Sequence, residues 1–224
     1  MVKIKNLENN EPYLYKDMWV RGIEEEYIIK EQNTYKKLHI IEGDTVLDIG
    51  GHIGCSARYF VTKGAKAVYS YEPMPSNFKL LQMNSVGYNI FPIRAAVIED
   101  DRKEIELFTP RTRFTTEHSV VNKRGRTSTT VPAVNFANAV RLANPSVMKL
   151  DIEGGELNLL PWFANQEIMS GIRSIAMEIH YYEHNSREIA NCLKDIMFRK
   201  YIEVQPPKYL DGGWNRCTAI WERK

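Results

Sequence analysis

From residue 45 onward, short apolar runs alternate with segments of helical periodicity. The first run, Thr45-Val46-Leu47-Asp48-Ile49, lies between polar turns, which is typical of a buried parallel strand. The same pattern predicts further strands at 67–71, 90–97, 131–136, 147–151 and 172–179, with 105–109 pairing elsewhere. It predicts helices at 55–63, 76–87 from an N-cap at Ser76, 157–166 despite Pro161, and 186–200.

Strands that alternate with helices indicate an α/β fold, with a mostly parallel sheet and helices on both faces. Ligands of such sheets bind at the carboxyl ends of the strands. Segments 201–205 and 217–221 predict a terminal hairpin, because proline and glycine interrupt the chain between them. The stretch 112–130 is rich in Thr, Ser and Arg with little periodicity, and it predicts a loop or lid.

Composition changes this picture little. A chain of 224 residues with 43% apolar content suits one domain, and a net charge of +2 gives no argument for nucleic acid. Three widely spaced cysteines form neither a disulfide framework nor a zinc pattern. No apolar run is long enough for a signal peptide or a membrane span. We therefore expect a cytoplasmic protein.

A glycine-containing turn follows the first strand. Gly50 and Gly54 enclose Gly51 and His52, which is not the Gly-x-Gly-x-x-Gly spacing of dinucleotide-binding folds. Asp48 at the strand end would repel a pyrophosphate seated on the following helix. It would favour a ligand with cationic groups, and S-adenosylmethionine carries an ammonium and a sulfonium and no phosphate. We predict S-adenosylmethionine as the cofactor and these five residues as part of its site.

Glu72 ends the next strand, 24 residues after Asp48. A carboxylate at that position can accept both ribose hydroxyls of a nucleoside. Pro73, Met74 and, from the third strand, Ala96 complete the predicted cofactor residues. Met74 suits either an adenine face or plain core packing.

The string Lys149-Leu150-Asp151-Ile152-Glu153-Gly154-Gly155-Glu156 is the most unusual in the chain. Lys149 and Asp151 share one face of a strand, and Glu153 lies just beyond its end. Three charged groups therefore stand where a reaction centre is expected. A structural Lys149–Asp151 ion pair, with Glu153 as a charge at a helix N-terminus, is the alternative.

Glu178 and His180 share one face at the end of a later strand. His180 is the histidine best placed for proton abstraction near neutral pH. Asp151, Glu178 and His180 together also suit a hard divalent metal ion, although no spacing requires one.

These motifs resemble the FkbM family of methyltransferases over roughly Asp44 to His180. The resemblance rests on the strings 47–54, 71–73, 149–156 and 178–180. It implies a Rossmann-like class I methyltransferase fold with seven strands, a mostly parallel sheet and an antiparallel C-terminal strand. The common family loop has Ala-Asn where this chain has Gly51-His52, which leaves the contact made by residue 52 open. We expect an N-terminal cap or extension at 1–42, as a strand pair or a helix, and a methyltransferase domain at 43–224.

The resemblance also implies O-methylation of a sugar or other hydroxylated small molecule, including oligosaccharides. We expect a hydroxyl to attack the methyl group in line, with His180 or Asp151 as base, Lys149 and Glu153 orienting, and a metal assisting if one binds. The rival activities are RNA or protein methylation and a nucleotide-binding oxidoreductase. The basic cluster 123–126 is a weak sign of nucleic acid, which is not an expected partner. The acceptor and the oligomeric state stay open.

Overall fold

The structure is a computed structural model that describes residues 13–15, 17–21, 33–110, 119–120, 126–180, 195, 201–209 and 216–224. Its strands are β1 Tyr13–Tyr15, β2 Met18–Val20, β3 Thr45–Ile49, β4 Ala67–Tyr71, β5 Ile90–Ile93, β6 Ala96–Ile98, β7 Glu104–Pro110, β8 Arg126–Asn135, β9 Val147–Leu150, β10 Ser174–His180, β11 Tyr201–Tyr209 and β12 Arg216–Arg223. Its α-helices are α1 Cys55–Thr62, α2 Pro75–Ser85, α3 Phe136–Ala143, α4 Leu160–Ala164 and α5 Gln166–Met169, with a 3-10 helix at Gly155–Leu159.

Seven strands form the central sheet, in the order β11-β12-β10-β9-β3-β4-β5. β10, β9, β3, β4 and β5 are parallel to their neighbours within that set. β12 runs antiparallel to both β10 and β11, so the predicted terminal hairpin is confirmed. The predicted mostly parallel seven-stranded sheet with an antiparallel C-terminal strand is therefore confirmed. The order of strands reverses between β3 and β9, where a cleft opens in folds of this kind.

Alternate residues of the central strands supply two cores, one on each face of the sheet. Leu47 and Met148 pack with Phe136 of α3 on one face. Val46 packs with Phe60 of α1 on the other. Helices therefore cover both faces, as predicted, because each strand is apolar on both of its sides.

Two predicted elements between residues 76 and 97 have other bounds in the structure. The third strand at 90–97 is two strands, because the chain turns at Arg94 and the Ala95 N–H donates to the Ile93 carbonyl. β5 stays at the edge of the central sheet, where Pro92 is tolerated. β6 joins a second sheet, of order β6-β8-β7. The helix predicted from Ser76 begins at Pro75, since proline suits the first helical position.

The loop predicted at 112–130 is wrong in its last part. Residues 126–130 belong to β8, which pairs antiparallel with β7, so the expectation that 105–109 pairs elsewhere is confirmed. This segment is rich in β-branched Thr and Val, which favour strands over loops. β8 ends at Asn135, whose side chain accepts a hydrogen bond from the Ala137 N–H and begins α3.

The helix predicted at 157–166 is divided. The 3-10 helix, α4 and α5 follow one another there, with Pro161 in the first turn of α4. The helix predicted at 186–200 lies outside the described residues except at Asp195, which is helical. No helix among the described ranges is long and apolar enough to cross a membrane.

The stretch 1–42 is described in three pieces. β1 and β2 pair antiparallel, which agrees with the strand-pair alternative. Met18 and Val20 of β2 are buried against Ile53 and Leu80, beside the glycine turn. Tyr35 is buried against Phe60. The division into a cap at 1–42 and a domain at 43–224 stays a prediction.

Candidate active site

A cleft opens at the carboxyl ends of β3, β4 and β9, beside the second sheet. It has about 980 Å³ of space free of atoms, counting its open mouth. Its lining combines the glycine turn, the acidic strand ends and an apolar wall. The lining residues are Ile49, Gly50, Gly51, His52, Cys55, Ser56, Tyr71, Glu72, Pro73, Asn77, Ala95, Ala96, Val97, Leu107, Val120, Lys149, Asp151, Ile152, Glu153 and Glu178.

The glycine turn depends on left-handed backbone at three positions. Gly50 has a φ of 84°, and a side chain there would meet the Asp151 carbonyl oxygen at 1.7 Å. Gly54 has a φ of 94° and begins α1. His52 has a φ of 49°, a conformation that Asn, Asp and His adopt more readily than other side chains. The substitution of His for the common family Asn therefore preserves the turn.

Asp48 and Lys149 form a buried pair beneath the turn. The Asp48 Oδ2 accepts hydrogen bonds from Ser56 Oγ at 3.0 Å and Ser70 Oγ at 2.8 Å, and its Oδ1 lies 3.4 Å from Lys149 Nζ. Lys149 Nζ also donates to the Gly50 carbonyl at 2.5 Å. The strand register explains the pairing, because Asp48 and Lys149 are direct partners across β3 and β9. The ammonium thus ties the turn to the sheet.

Glu72 faces the cleft with its carboxylate held by the backbone. Its Oε2 accepts a hydrogen bond from the His52 N–H at 2.9 Å, and its Oε1 accepts one from the Met74 N–H at 2.8 Å. Burial raises the pKa of Glu72 to about 7, against the opposing effects of those two N–H groups, Lys149 and Asn77. With these two N–H groups and the Asn77 amide as donors, the carboxylate still has acceptor capacity for a ligand hydroxyl.

The other predicted cofactor residues divide into two groups. Pro73 and Ala96 line the cleft together with Gly50, Gly51 and His52. Among the described residues, three others do not belong to the lining: Asp48, Gly54 and Met74. The Met74 side chain instead packs against the core of the second sheet, and only its N–H reaches Glu72. Of the two interpretations of Met74, this geometry agrees with core packing, and its place in the cofactor site stays a prediction.

The turn after β9 places two carboxylates at the cleft. Asp151 and Glu153 line it, and Glu153 has a φ of 55°, which is uncommon for a residue other than glycine. The buried Glu156 stabilises this turn by two hydrogen bonds from backbone N–H groups. Its Oε1 accepts one from Ile152 at 2.9 Å, and its Oε2 accepts one from Gly154 at 3.0 Å. The Ser119 hydroxyl also donates to the Glu153 carbonyl at 2.6 Å.

His180 is surrounded by carboxylates. Its Nδ1 lies 3.2 Å from Glu156 Oε1, and its Nε2 lies 3.3 Å from Glu153 Oε2, 3.8 Å from Glu178 Oε1 and 4.0 Å from Asp151 Oδ1. Burial alone would lower the pKa of His180, but Glu156, Glu153 and Asp151 together raise it to about 10. The surrounding carboxylates therefore favour the protonated form of the His180 imidazole.

A metal ion would find ligands in the same place. One ligand atom from each of Asp151, Glu156 and His180 lies within 4.8 Å of the others. The predicted set named Glu178 rather than Glu156. Glu178 lines the cleft and approaches His180, whereas Glu156 already accepts two backbone hydrogen bonds. Both sets stay predictions.

Four residues that support the site are not apparent from the sequence. Glu156 stands in the acidic string, yet only the fold shows that it holds the turn and faces His180. Asn77 lines the cleft from α2, and Leu107 and Val120 supply its apolar wall. No local signal marks these three, because a polar helix residue and two apolar residues are ordinary in any chain.

Comparisons with known proteins agree with the fold. Residues 48–203 match the family described as the methyltransferase FkbM domain. The hexuronic acid methyltransferase AglP of Haloferax volcanii is 26% identical over 141 residues. That match covers 62% of this chain and 57% of AglP, so this chain spans little more than half of that relative.

Two solved structures share the fold. Methyltransferase FkbM from Methylobacillus flagellatus KT has a TM-score of 0.55 and 18% identity, over 87% of this chain and 50% of that one. The Streptococcus pneumoniae protein Sp1610, in complex with S-adenosyl-L-methionine, has a TM-score of 0.51 and 10% identity, over 88% and 72%. The predicted Rossmann-like class I fold is confirmed. The chain belongs to the FkbM methyltransferase family, and its prediction as an S-adenosylmethionine-dependent methyltransferase is confirmed at the level of that family.

Proposed function

We propose that this protein transfers a methyl group from S-adenosylmethionine to a hydroxyl of a sugar or similar small molecule. One observation carries the proposal: Glu72, Asp151, Glu153 and Glu178 all line one cleft at the strand ends. Lys149 contributes a positive charge to the same lining, but its ammonium already donates a hydrogen bond to the Gly50 carbonyl. Such a cleft attracts a cationic ligand and disfavours a pyrophosphate.

The residues fit the cofactor by their chemistry. Glu72 is placed to accept ribose hydroxyls, and the carboxylates beyond it suit the ammonium and the sulfonium. Val97 and Leu107 give an apolar surface for the adenine ring. When bound, the cofactor supplies a methyl group that is already activated for displacement. The protein must then hold the acceptor oxygen in line and receive its proton.

Position favours Asp151 over His180 as the base. Asp151 lines the cleft and its side chain is 20% exposed, whereas His180 is 3% exposed and does not belong to the cleft lining of the described residues. Asp151 Oδ2 also lies 3.8 Å from Lys149 Nζ, so the carboxylate is held at the side of the cleft next to the glycine turn. We infer that His180 orients Glu153 and Asp151, that Glu153 positions the acceptor, and that Lys149 holds the glycine turn.

A divalent metal ion is a further part of the proposal. Asp151 and His180, with Glu156 or Glu178, would hold it through oxygen and imidazole ligands. When bound, it would lower the pKa of the acceptor hydroxyl. Titration of the protein with Mg²⁺, Mn²⁺ and Zn²⁺ after chelation tests this part separately.

The relative AglP, described as a hexuronic acid methyltransferase, supports a sugar as the acceptor class. We propose a hydroxylated sugar, alone or in an oligosaccharide, as the partner of this site. The choice of hydroxyl is left to experiment.

Methyl transfer and binding test the proposal together. Purified protein with methyl-labelled S-adenosylmethionine is offered hexuronic acids, neutral sugars, RNA and a protein mixture, with Asp151→Asn as the matched control. Labelled sugar from the wild type alone supports the proposal, and label only in RNA or protein replaces the acceptor class. Calorimetry with S-adenosylmethionine and NAD⁺ decides the cofactor, and binding of NAD⁺ alone would contradict the proposal.

A further inference from the structure

A chain of side-chain hydrogen bonds leads from Arg21 to the cleft. Arg21 follows β2 and is 7% exposed, and its Nη2 donates to Asn77 Oδ1 at 2.6 Å. A guanidinium has donors only, so it requires the amide oxygen of Asn77 on its side. The amide NH₂ is therefore the group of Asn77 that remains to bond the Glu72 carboxylate, with which Asn77 makes a side-chain hydrogen bond.

We propose that Arg21 is a positioning residue for the cofactor, which acts through Asn77 to orient the Glu72 carboxylate toward the cleft. This inference rests on the proposed use of Glu72 for the cofactor ribose. Arg21 lies outside the matched region 48–203, so the family match does not assign it a role. The hairpin of β1 and β2 becomes part of the binding site rather than a passive cover.

The position of Arg21 is set by the strand that precedes it. Asn84 of α2 accepts a hydrogen bond from the Trp19 N–H at 2.6 Å and donates to the Trp19 carbonyl at 2.9 Å and the Ile53 carbonyl at 2.7 Å. One buried amide thus joins β2, α2 and the glycine turn. Val20 of β2 is 0% exposed and packs against Ile53 and Leu80. A shift in the register of β2 would expose this side chain, so its burial fixes the position of the strand.

Orientation matters because Glu72 is crowded. Its two oxygens already accept the His52 and Met74 N–H groups, and Lys149 is the positive charge on the β9 side. A third donor from Asn77 selects one plane for the carboxylate and favours its ionised form. Without Arg21 the Asn77 amide is free to turn its oxygen toward Glu72, which would repel the carboxylate.

The test compares variants that disturb the relay, meaning the hydrogen-bonded series Arg21, Asn77 and Glu72, with a variant that changes only the hairpin. Arg21→Gln removes the charge and the fork of donors, and Arg21→Lys keeps a donor and a charge. Asp17→Asn is the control, because Asp17 lies on the same hairpin and forms an ion pair with Arg58 of α1. Asn also tolerates the φ of 62° at this position. We expect the affinity for S-adenosylmethionine to be about tenfold lower in Arg21→Gln than in the wild type. The affinity should fall less in Arg21→Lys and stay unchanged in Asp17→Asn.

A second readout needs no ligand. Carboxyl ¹³C NMR of the free protein follows the ionisation of Glu72, on which the Lys149 ammonium acts electrostatically and to which Asn77 donates a hydrogen bond. We expect Arg21→Gln to move the Glu72 titration to higher pH, and a purely structural role of Arg21 would leave it unmoved. Arg21→Met, which occupies the buried position without a donor or a charge, serves this readout if Arg21→Gln does not fold.

A double-mutant cycle with Glu72→Gln completes the test. We expect the effect of Arg21→Gln on binding to be largely lost in the Glu72→Gln background, since the two residues act in series. Additive effects, or an unmoved Glu72 titration, would overturn the inference. A wild type that does not bind S-adenosylmethionine would overturn the proposed function, while the Glu72 titration would still decide whether the relay exists.

Discussion

Binding of S-adenosylmethionine should depend on pH through Glu72. Burial raises the pKa of this carboxyl from 4.5 to about 7, so it loses its proton in the neutral range. Ribose hydroxyls donate to the ionised form, and the protonated form would compete with them as a donor itself. Affinity should therefore be full above pH 7 and fall as the pH decreases through it.

The magnitude follows from the fraction of ionised carboxylate. If only the ionised form binds, the dissociation constant rises about tenfold between about pH 8 and about pH 6, or roughly 1.4 kcal/mol. The assay is isothermal titration calorimetry across this range, in buffers of different ionisation enthalpy, so that proton release on binding is measured directly.

The matched variant is Glu72→Gln. Gln cannot accept from both the His52 and the Met74 N–H groups, so binding should weaken by about 1–3 kcal/mol, and the pH dependence should disappear. The pH dependence of stability gives a second check. Because the pKa of Glu72 is raised in the folded state, its contribution to the free energy of unfolding declines as the pH rises from 4.5 to about 7. Glu72→Gln should lack this decline. A wild-type affinity that stays constant from about pH 6 to about pH 8 would refute the reasoning.

Three further outcomes are expected. Gly50→Ala should lower the melting temperature far more than Gly87→Ala. Both glycines have a φ above 80°, but of the two only Gly50 has backbone atoms within 4 Å of the added carbon. Equal decreases in melting temperature would contradict this prediction. Lys149→Met should lower the free energy of unfolding by about 3–5 kcal/mol, because Asp48 is then buried without its counter-charge. Adding Asp48→Asn should recover part of this loss, as measured by urea unfolding. Asp151→Asn should reduce methyl transfer by about 10²-fold or more while S-adenosylmethionine binds nearly as well, and a loss confined to binding would remove Asp151 as the base.

Much of the site was visible in the sequence because it is local. The glycine turn, Glu72 and the acidic string each follow a strand directly, and the carboxyl ends of parallel strands meet at one edge. Local sequence patterns do not predict an element whose bounds are set by tertiary contacts. Residues 90–97 read as one strand because they are apolar, yet the chain leaves one sheet for another after Ile93.

The sequence by itself determined the class of fold, the order of its central elements and the residues at the strand ends, since buried strands and tight turns carry their pattern in neighbouring residues. Only the tertiary structure decided which side chains meet. His180 and Glu156 are 24 residues apart, Arg21 and Asn77 are 56, and Lys149 and Gly50 are 99. Periodicity assigns a side chain to a face of an element, but the partner on that face comes from how distant elements pack.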